Sequence, residues 1–168
     1  GRVFRVETPL SGREELFLEG FSGEEGVSRP YAFSLDLISK SPSIDPNALL
    51  RKTVAVYVQL ADGSERVIHG MVVRFTQRGW WDQLTGYEAK IVPWLWFLSL
   101  SADCRIFQGK TVLEIIQTVF GDYGTADFDV RCTGSYAPRE YCVQYKQTDL
   151  DFVSRLMEEE GIFYFFEH

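Results

Sequence analysis

The stretch YCVQYKQTDLDFVSRLMEEEGIFYFFEH, residues 141–168, decides the class of fold: it reads as a strand, a capped helix and a second strand of almost solid aromatics. Thr148 is followed three residues later by Asp151, a capping-box spacing in which each side chain answers an orphan backbone donor of the other. Asp149 and Asp151 also lie where the helix dipole favours negative charge. At about 100° per residue, Leu150, Phe152, Val153, Leu156 and Met157 take one half of the helical wheel, and Asp151, Ser154, Arg155, Glu158 and Glu159 the other. Gly161 stands where a glycine ends a helix. The run from Ile162 to Phe166 is apolar on both pleat faces, which predicts a strand covered on both sides. Its cover is expected from chain beyond His168, so the sequence reads as the front part of a longer protein.

Outward from that stretch the same signals recur. Thr111 and Glu114 form a second capping box, and Val112, Leu113, Ile115, Ile116, Val119 and Phe120 fill half a wheel, predicting a helix that ends near Gly121 or Gly124. Short strands are expected at 127–131 and 141–145. Upstream, ELFLEGF (15–21) and YAFSLDLIS (31–39) alternate apolar and polar residues around the turn-rich loop GEEGVSRP, and Val54, Val56, Val58 and Leu60 mark a strand face that runs into the hairpin signal Asp62-Gly63. The return strand, 65–75, contains Gly70, read as a bulge or barrel corner. A third long strand, 87–95, is interrupted by Pro93, and the alternation of Trp94 and Trp96 reads as strand residues facing the core. The expected fold is therefore mainly β with some α: a β-barrel-like lobe over residues 1–102, then an α+β lobe that starts at 103–168 and continues beyond this chain.

Composition limits what such a chain does. Its 168 residues are 45% hydrophobic and 15% aromatic, enough for a sizeable core, and the net charge of -7 with no basic run argues against nucleic acid and anionic membrane surfaces as partners. No apolar run approaches the ~20 residues of a membrane helix. Cys104, Cys132 and Cys142 are an odd number without a C-x-x-C pair, which reads as buried free thiols in a reducing compartment; a Cys132–Cys142 bridge is the alternative.

Chemistry-bearing constellations are sparse. Gly109-Lys110-Thr111 resembles the end of a phosphate loop, but that pattern demands glycine at position 104, where this chain has cysteine, so Thr111 reads as a helix cap. The two histidines are His69, read as a strand histidine with a satisfied ring, and His168 at the end of the sequence. Neither lies beside a nucleophile in the chain, and no His or Cys pair has ligand spacing, so no catalytic residue, metal or cofactor is expected. Glu158, Glu159 and Glu160 are adjacent on a helix and point apart. Trp80 and Trp81, in the polar turn QRGWWDQLTG, are the candidate protein-contact or ligand-stacking residues. They keep a carbohydrate-binding β-barrel open as an alternative reading.

The segments PWLWFLSLSADCRIFQGKTVLEIIQTVF (93–120) and 141–168, together with RVIHGMVVRF (66–75), closely resemble the N-terminal base of VgrG proteins, the spike proteins of type VI secretion systems. The resemblance runs from about Leu16 to the end. It implies a baseplate-hub-like architecture of two similar barrel-like lobes per chain, a homotrimer in the full-length protein, and a non-enzymatic role joining the hexameric Hcp tube to a needle. It further implies spike-tip proteins, effectors and baseplate components as partners, and a cytoplasmic location during assembly followed by secretion or injection into a target cell. A baseplate hub of a contractile phage tail is the alternative within the same class.

Overall fold

A computed structural model describes residues 3–168, with the side chain of Trp81 outside the described residues. The chain divides into two compact units. The first extends to Gly26, resumes over Pro30–Pro93 and includes Phe166–His168. The second comprises Val27–Arg29 and Trp94–Phe165.

The first unit is a six-stranded sheet of order β1-β4-β5-β6-β3-β2. Its strands are β1 (Phe4–Glu7), β2 (Phe17–Gly26), β3 (Arg29–Ser39), β4 (Thr53–Gln59), β5 (Glu65–Trp81) and β6 (Leu84–Val92). Alternation along β3 buries Tyr31, Phe33, Leu35 and Leu37, against which Val54 and Val56 of β4 and Tyr87, Ala89 and Ile91 of β6 close the core. The sheet curls far enough for its two edges to meet: Phe4 of β1 and Phe21 of β2 pack edge-to-face with ring centroids 6.4 Å apart. That is the barrel-like lobe expected from the strand pattern.

Several local readings are corrected. GEEG belongs to β2, and the connection to β3 is the tight turn Val27-Ser28, with Ser28 at φ +58. β5 continues past Phe75 to Trp81. Gly70 sits in regular register opposite Val54, and the bulges lie between Val72 and Arg74 and between Gln77 and Trp80. Glycine is required at position 70 because a Cβ there would come 2.9 Å from the Cβ of Ile91. β6 ends at Val92, and after Pro93 the chain coils into the 3-10 helix Trp94–Leu100, so Trp94 and Trp96 are not strand residues. Proline removes a ladder donor, and burial of Leu95 and Leu98 rewards a helical turn.

The second unit pairs β7 (Ala102–Lys110) with β8 (Arg139–Thr148) in an antiparallel ribbon. Helices α1 (Val112–Gly121) and α2 (Asp149–Glu159) complete it. Phe152, Val153, Leu156, Ile115 and Val119 are fully buried or nearly so, and Phe107 of β7 stacks on Phe152 at 5.9 Å. Residues 127–131 form no strand; instead Phe128 packs on Phe120 at 5.0 Å, and the Trp94 indole N–H donates to the Asp127 carbonyl at 2.8 Å. Residues 162–166 carry no strand pairing, and their burial alternates: Phe163 and Phe165 are exposed while Ile162, Tyr164 and Phe166 are half-buried.

Candidate contact surfaces

His69 is a strand residue of β5, as read from the sequence, and is exposed to solvent. Its backbone N–H donates to Nδ1 of His168 at 3.3 Å, while Nε2 of His168 lies 3.0 Å from Glu25 and its ring packs on Tyr31 at 4.8 Å. All three cysteines are free, but only Cys142 is buried; Cys132 is half-buried and Cys104 exposed. Among the described residues no group of His, Cys, Asp or Glu is placed to hold a metal ion.

The helix ends show how the second unit is fastened. The Thr111 hydroxyl accepts from the Glu114 N–H at 3.3 Å and the Glu114 carboxylate accepts from the Thr111 N–H at 2.7 Å, a complete capping box. These bonds, first from the Thr111 backbone and then from its hydroxyl, hold the Glu114 carboxyl below its ordinary range. At α2 only half of that device is present: Thr148 accepts from the Asp151 N–H at 3.0 Å, and Asp151, one methylene shorter than glutamate, makes no return bond among the described residues. The far end of α2 is a Schellman motif, with Gly161 at φ +68, its N–H bonded to Glu158 and that of Ile162 to Met157.

A polar cluster around buried Asp149 ties β7, β8, α2 and the turn after α1 together. Asp149, 4% exposed, accepts from Arg105 at 2.6 Å and Gln144 at 2.7 Å through Oδ1, and from the Tyr123 hydroxyl at 2.7 Å through Oδ2. Arg105 also donates to Gln144 and to Asp122. Burial opposes the Arg105 charge, and the bonds and charges of Asp122 and Asp149 outweigh it, so its pKa is raised. Sequence reading missed this cluster, because its members come from β7, β8, α2 and the turn after α1, and none carries a local signal.

Two surfaces remain outward. On the β7–β8 ribbon, Arg105, Phe107, Cys142 and Gln144 point inward, which turns Ile106, Tyr141, Val143 and Tyr145 to solvent, each roughly half to two-thirds exposed. Such a contiguous apolar face marks an interaction surface more often than an accident of composition. The second surface is the β5–β6 hairpin, where Trp80 is 77% exposed and pairs through its backbone with Thr85. Trp81 pairs with Leu84 through its backbone, and its side chain lies outside the described residues.

The family model described as "Phage tail baseplate hub (GPD)" matches residues 24–168. The type VI secretion system spike protein VgrG1b of Pseudomonas aeruginosa is 46% identical over 167 residues, covering 99% of this chain and 22% of the relative. VgrG1a of the same organism is 43% identical, covering 99% of this chain and 26% of the relative. The actin cross-linking toxin VgrG1 of Vibrio cholerae is 30% identical and is covered over 16% of its length. This chain thus spans about a quarter or less of the length of these curated relatives. Among solved structures, the Escherichia coli c3393 protein, described as a type VI secretion component similar in structure to T4 tail proteins gp27 and gp5, superposes with a TM-score of 0.76 at 26% identity, covering 92% of this chain and 45% of that one. A 43 kDa tail protein of prophage MuSo2 from Shewanella oneidensis shares the fold alone, with a TM-score of 0.61 at 16% identity over 94% of this chain and 48% of that one.

Proposed function

The chain belongs to the phage tail baseplate hub family, and from that premise we propose that it is part of the base of a type VI secretion spike, a trimeric adaptor between an Hcp-type tube and a needle that helps deliver effectors. The observation that carries this reading is identity of 43–46% to spike proteins along 99% of the chain, far above the 16% shared with a phage tail protein of the same fold. A contractile-phage hub is the second reading, supported by the family model itself. In the proposed protein residues 103–168 open a second lobe that further chain completes. The partners are two further copies, the tube hexamer, spike-tip and effector proteins and baseplate components, met first in the cytoplasm and then outside it.

An adaptor needs complementary surfaces rather than a nucleophile, and the outward face of the ribbon is such a surface. We assign Ile106, Tyr141, Val143 and Tyr145 to contacts that become buried in the assembled base. A stable interface usually buries more than ~1,000 Å² in total, which four side chains fall short of. The 168-residue chain is therefore expected to be monomeric or weakly, concentration-dependently associated, and the full-length protein a trimer that survives dilution. Light scattering coupled to size exclusion decides the matter. A tight dimer from both, unchanged on dilution, refutes the trimeric adaptor.

A further inference from the structure

The β5–β6 hairpin borders an open groove of about 460 Å³ within the first unit, lined by Glu19, Asp36, Arg78 and Trp80 among others. Its walls are kept low by Gly79 and Gly86, where a Cβ on Gly86 would press to 3.3 Å from the Gly79 carbonyl oxygen. The hairpin closes through Asp82 and Gln83, at φ +48 and +63, two left-handed residues without a glycine between them. This is the backbone of a tight two-residue turn, in which non-glycine residues are strained. It ends the hairpin immediately beyond the exposed indole of Trp80.

The charges at the groove do not balance. Arg78 is the one cation among its described lining residues, and it is ion-paired with Glu88 and stands 3.7 Å from Asp36. That longer ion pair leaves the Asp36 side chain 56% exposed, and Glu19, which lines the same groove, is exposed as well. An indole face attracts cations through its ring quadrupole, and two carboxylates within one groove add to that attraction. A flat guanidinium meets both features at once, stacking on the ring while its forked N–H donors turn to carboxylates; a compact ammonium meets them less well.

We propose that this groove is a docking site for an arginine side chain presented by a partner protein. A neutral pyranose would gain from the indole and nothing from the negative charge, so arginine is favoured over a sugar. Nothing at this site depends on the oligomeric state of the chain, so a failed trimer leaves it standing.

The test titrates the protein with acetyl-Gly-Arg-Gly-amide and with the same peptide carrying citrulline, which keeps the shape and removes the charge. The indole N–H signals are followed by two-dimensional NMR, with Trp80 identified through Trp80→Phe. The Trp80 signal should shift saturably with the arginine peptide, and the citrulline peptide should bind about threefold or more weakly, the range expected of an exposed cation–π contact. Glu19→Gln with Asp36→Asn should weaken binding about three- to fivefold, and 0.5 M salt should act in the same direction. The Trp94 indole, held by the Asp127 carbonyl, should not move. Equal response to both peptides, no response to either, or binding that survives Trp80→Ala overturns the proposal. A saturable response to an oligosaccharide panel without one to arginine also overturns it and assigns the groove to sugars.

Discussion

Replacing Asp149 by alanine is the sharpest test of how the second unit is held together. The carboxylate accepts three hydrogen bonds at 2.6–2.7 Å from Arg105, Gln144 and Tyr123. Removing one partner of a buried ion pair typically costs about 3–5 kcal/mol, because a charge is left uncompensated. Here Arg105 retains Asp122 at 2.7 Å and Gln144 retains the Gln147 carbonyl at 3.1 Å, so the expected loss falls to roughly 2–4 kcal/mol. Asp149→Asn preserves the shape and one acceptor oxygen for Arg105 and Gln144, and the Tyr123 hydroxyl can rotate to accept from the new amide. Its expected cost is about 1 kcal/mol. Urea unfolding followed by fluorescence, in a background with Trp80→Phe and Trp81→Phe, reports through Trp94 and Trp96 of the same unit. If Asp149→Ala falls within 1 kcal/mol of the parent, or if alanine and asparagine cost the same, the cluster is not a fastening.

Thr111→Ala and Thr148→Ala should each cost roughly 0.5–2 kcal/mol in the same assay, the usual worth of an N-cap. Glu114→Ala should destabilise measurably and Asp151→Ala much less, because only Glu114 returns a bond to the cap. Gly23→Ala should cost about 1–3 kcal/mol, since its Cβ would lie 2.3 Å from the Ala32 carbonyl oxygen, whereas Gly20→Ala meets nothing closer than 3.9 Å and serves as control. On acidification, Glu114 and Glu159, the latter lowered first by its hydrogen bond from Arg139, should lose their contribution. Their folded-state pKa values lie below the unfolded ones, so their stabilisation is complete above about pH 4.3–4.5 and disappears as pH falls through the folded values. Thermal melts of the parent against Glu159→Gln from pH 7 to pH 3 should converge at the acid end; a gap that widens there refutes the assignment.

The elements that were legible in the sequence are those whose signals are local. Alternation from Tyr31 to Leu37 and the two half-wheels of α1 and α2 placed their buried faces, and the barrel-like first lobe followed from the strands. β7 is hard to read because its alternation is broken: Arg105 points inward with Phe107 and finds Gln144 and Asp149 39 and 44 positions away, while Ile106 faces out. No window of sequence shows that a charged residue will be matched from so far along the chain. The turns at Ser28 and at Asp82-Gln83 lie inside segments that read as turns, but which residues make them could not be read, since each is left-handed without glycine. The aromatic run after Gly161 reads as a strand, yet it is assigned to no ladder; the Tyr164 carbonyl accepts from the Ser28 N–H at 2.8 Å. At the hairpin, the exposure of Trp80 could be read from Gln77, Arg78 and Gly79 beside it, but its groove could not, because Glu19 and Asp36 arrive from β2 and β3.

The inverted pattern of the ribbon has a mechanical meaning. A two-stranded ribbon is marginal by itself and needs one face packed to hold its shape. In this unit the inner face is packed by Phe107 on Phe152 and pinned by Arg105 and Gln144 to the first turn of α2. Arg139, at the start of β8, is fixed to Glu159 at 2.6 Å and Glu160 at 2.8 Å at the other end of the same helix. The ribbon is thus clamped to both ends of α2, while Arg155 from the middle of the helix donates to the Val143 carbonyl at 3.0 Å. Polar bonds fix direction in a way that apolar packing does not, so Ile106, Tyr141, Val143 and Tyr145 are presented at a set angle and register. Under the trimeric adaptor proposed above, a subunit repeating one contact around a symmetric ring requires that definition, because a heterologous contact closes only when its rotation is right.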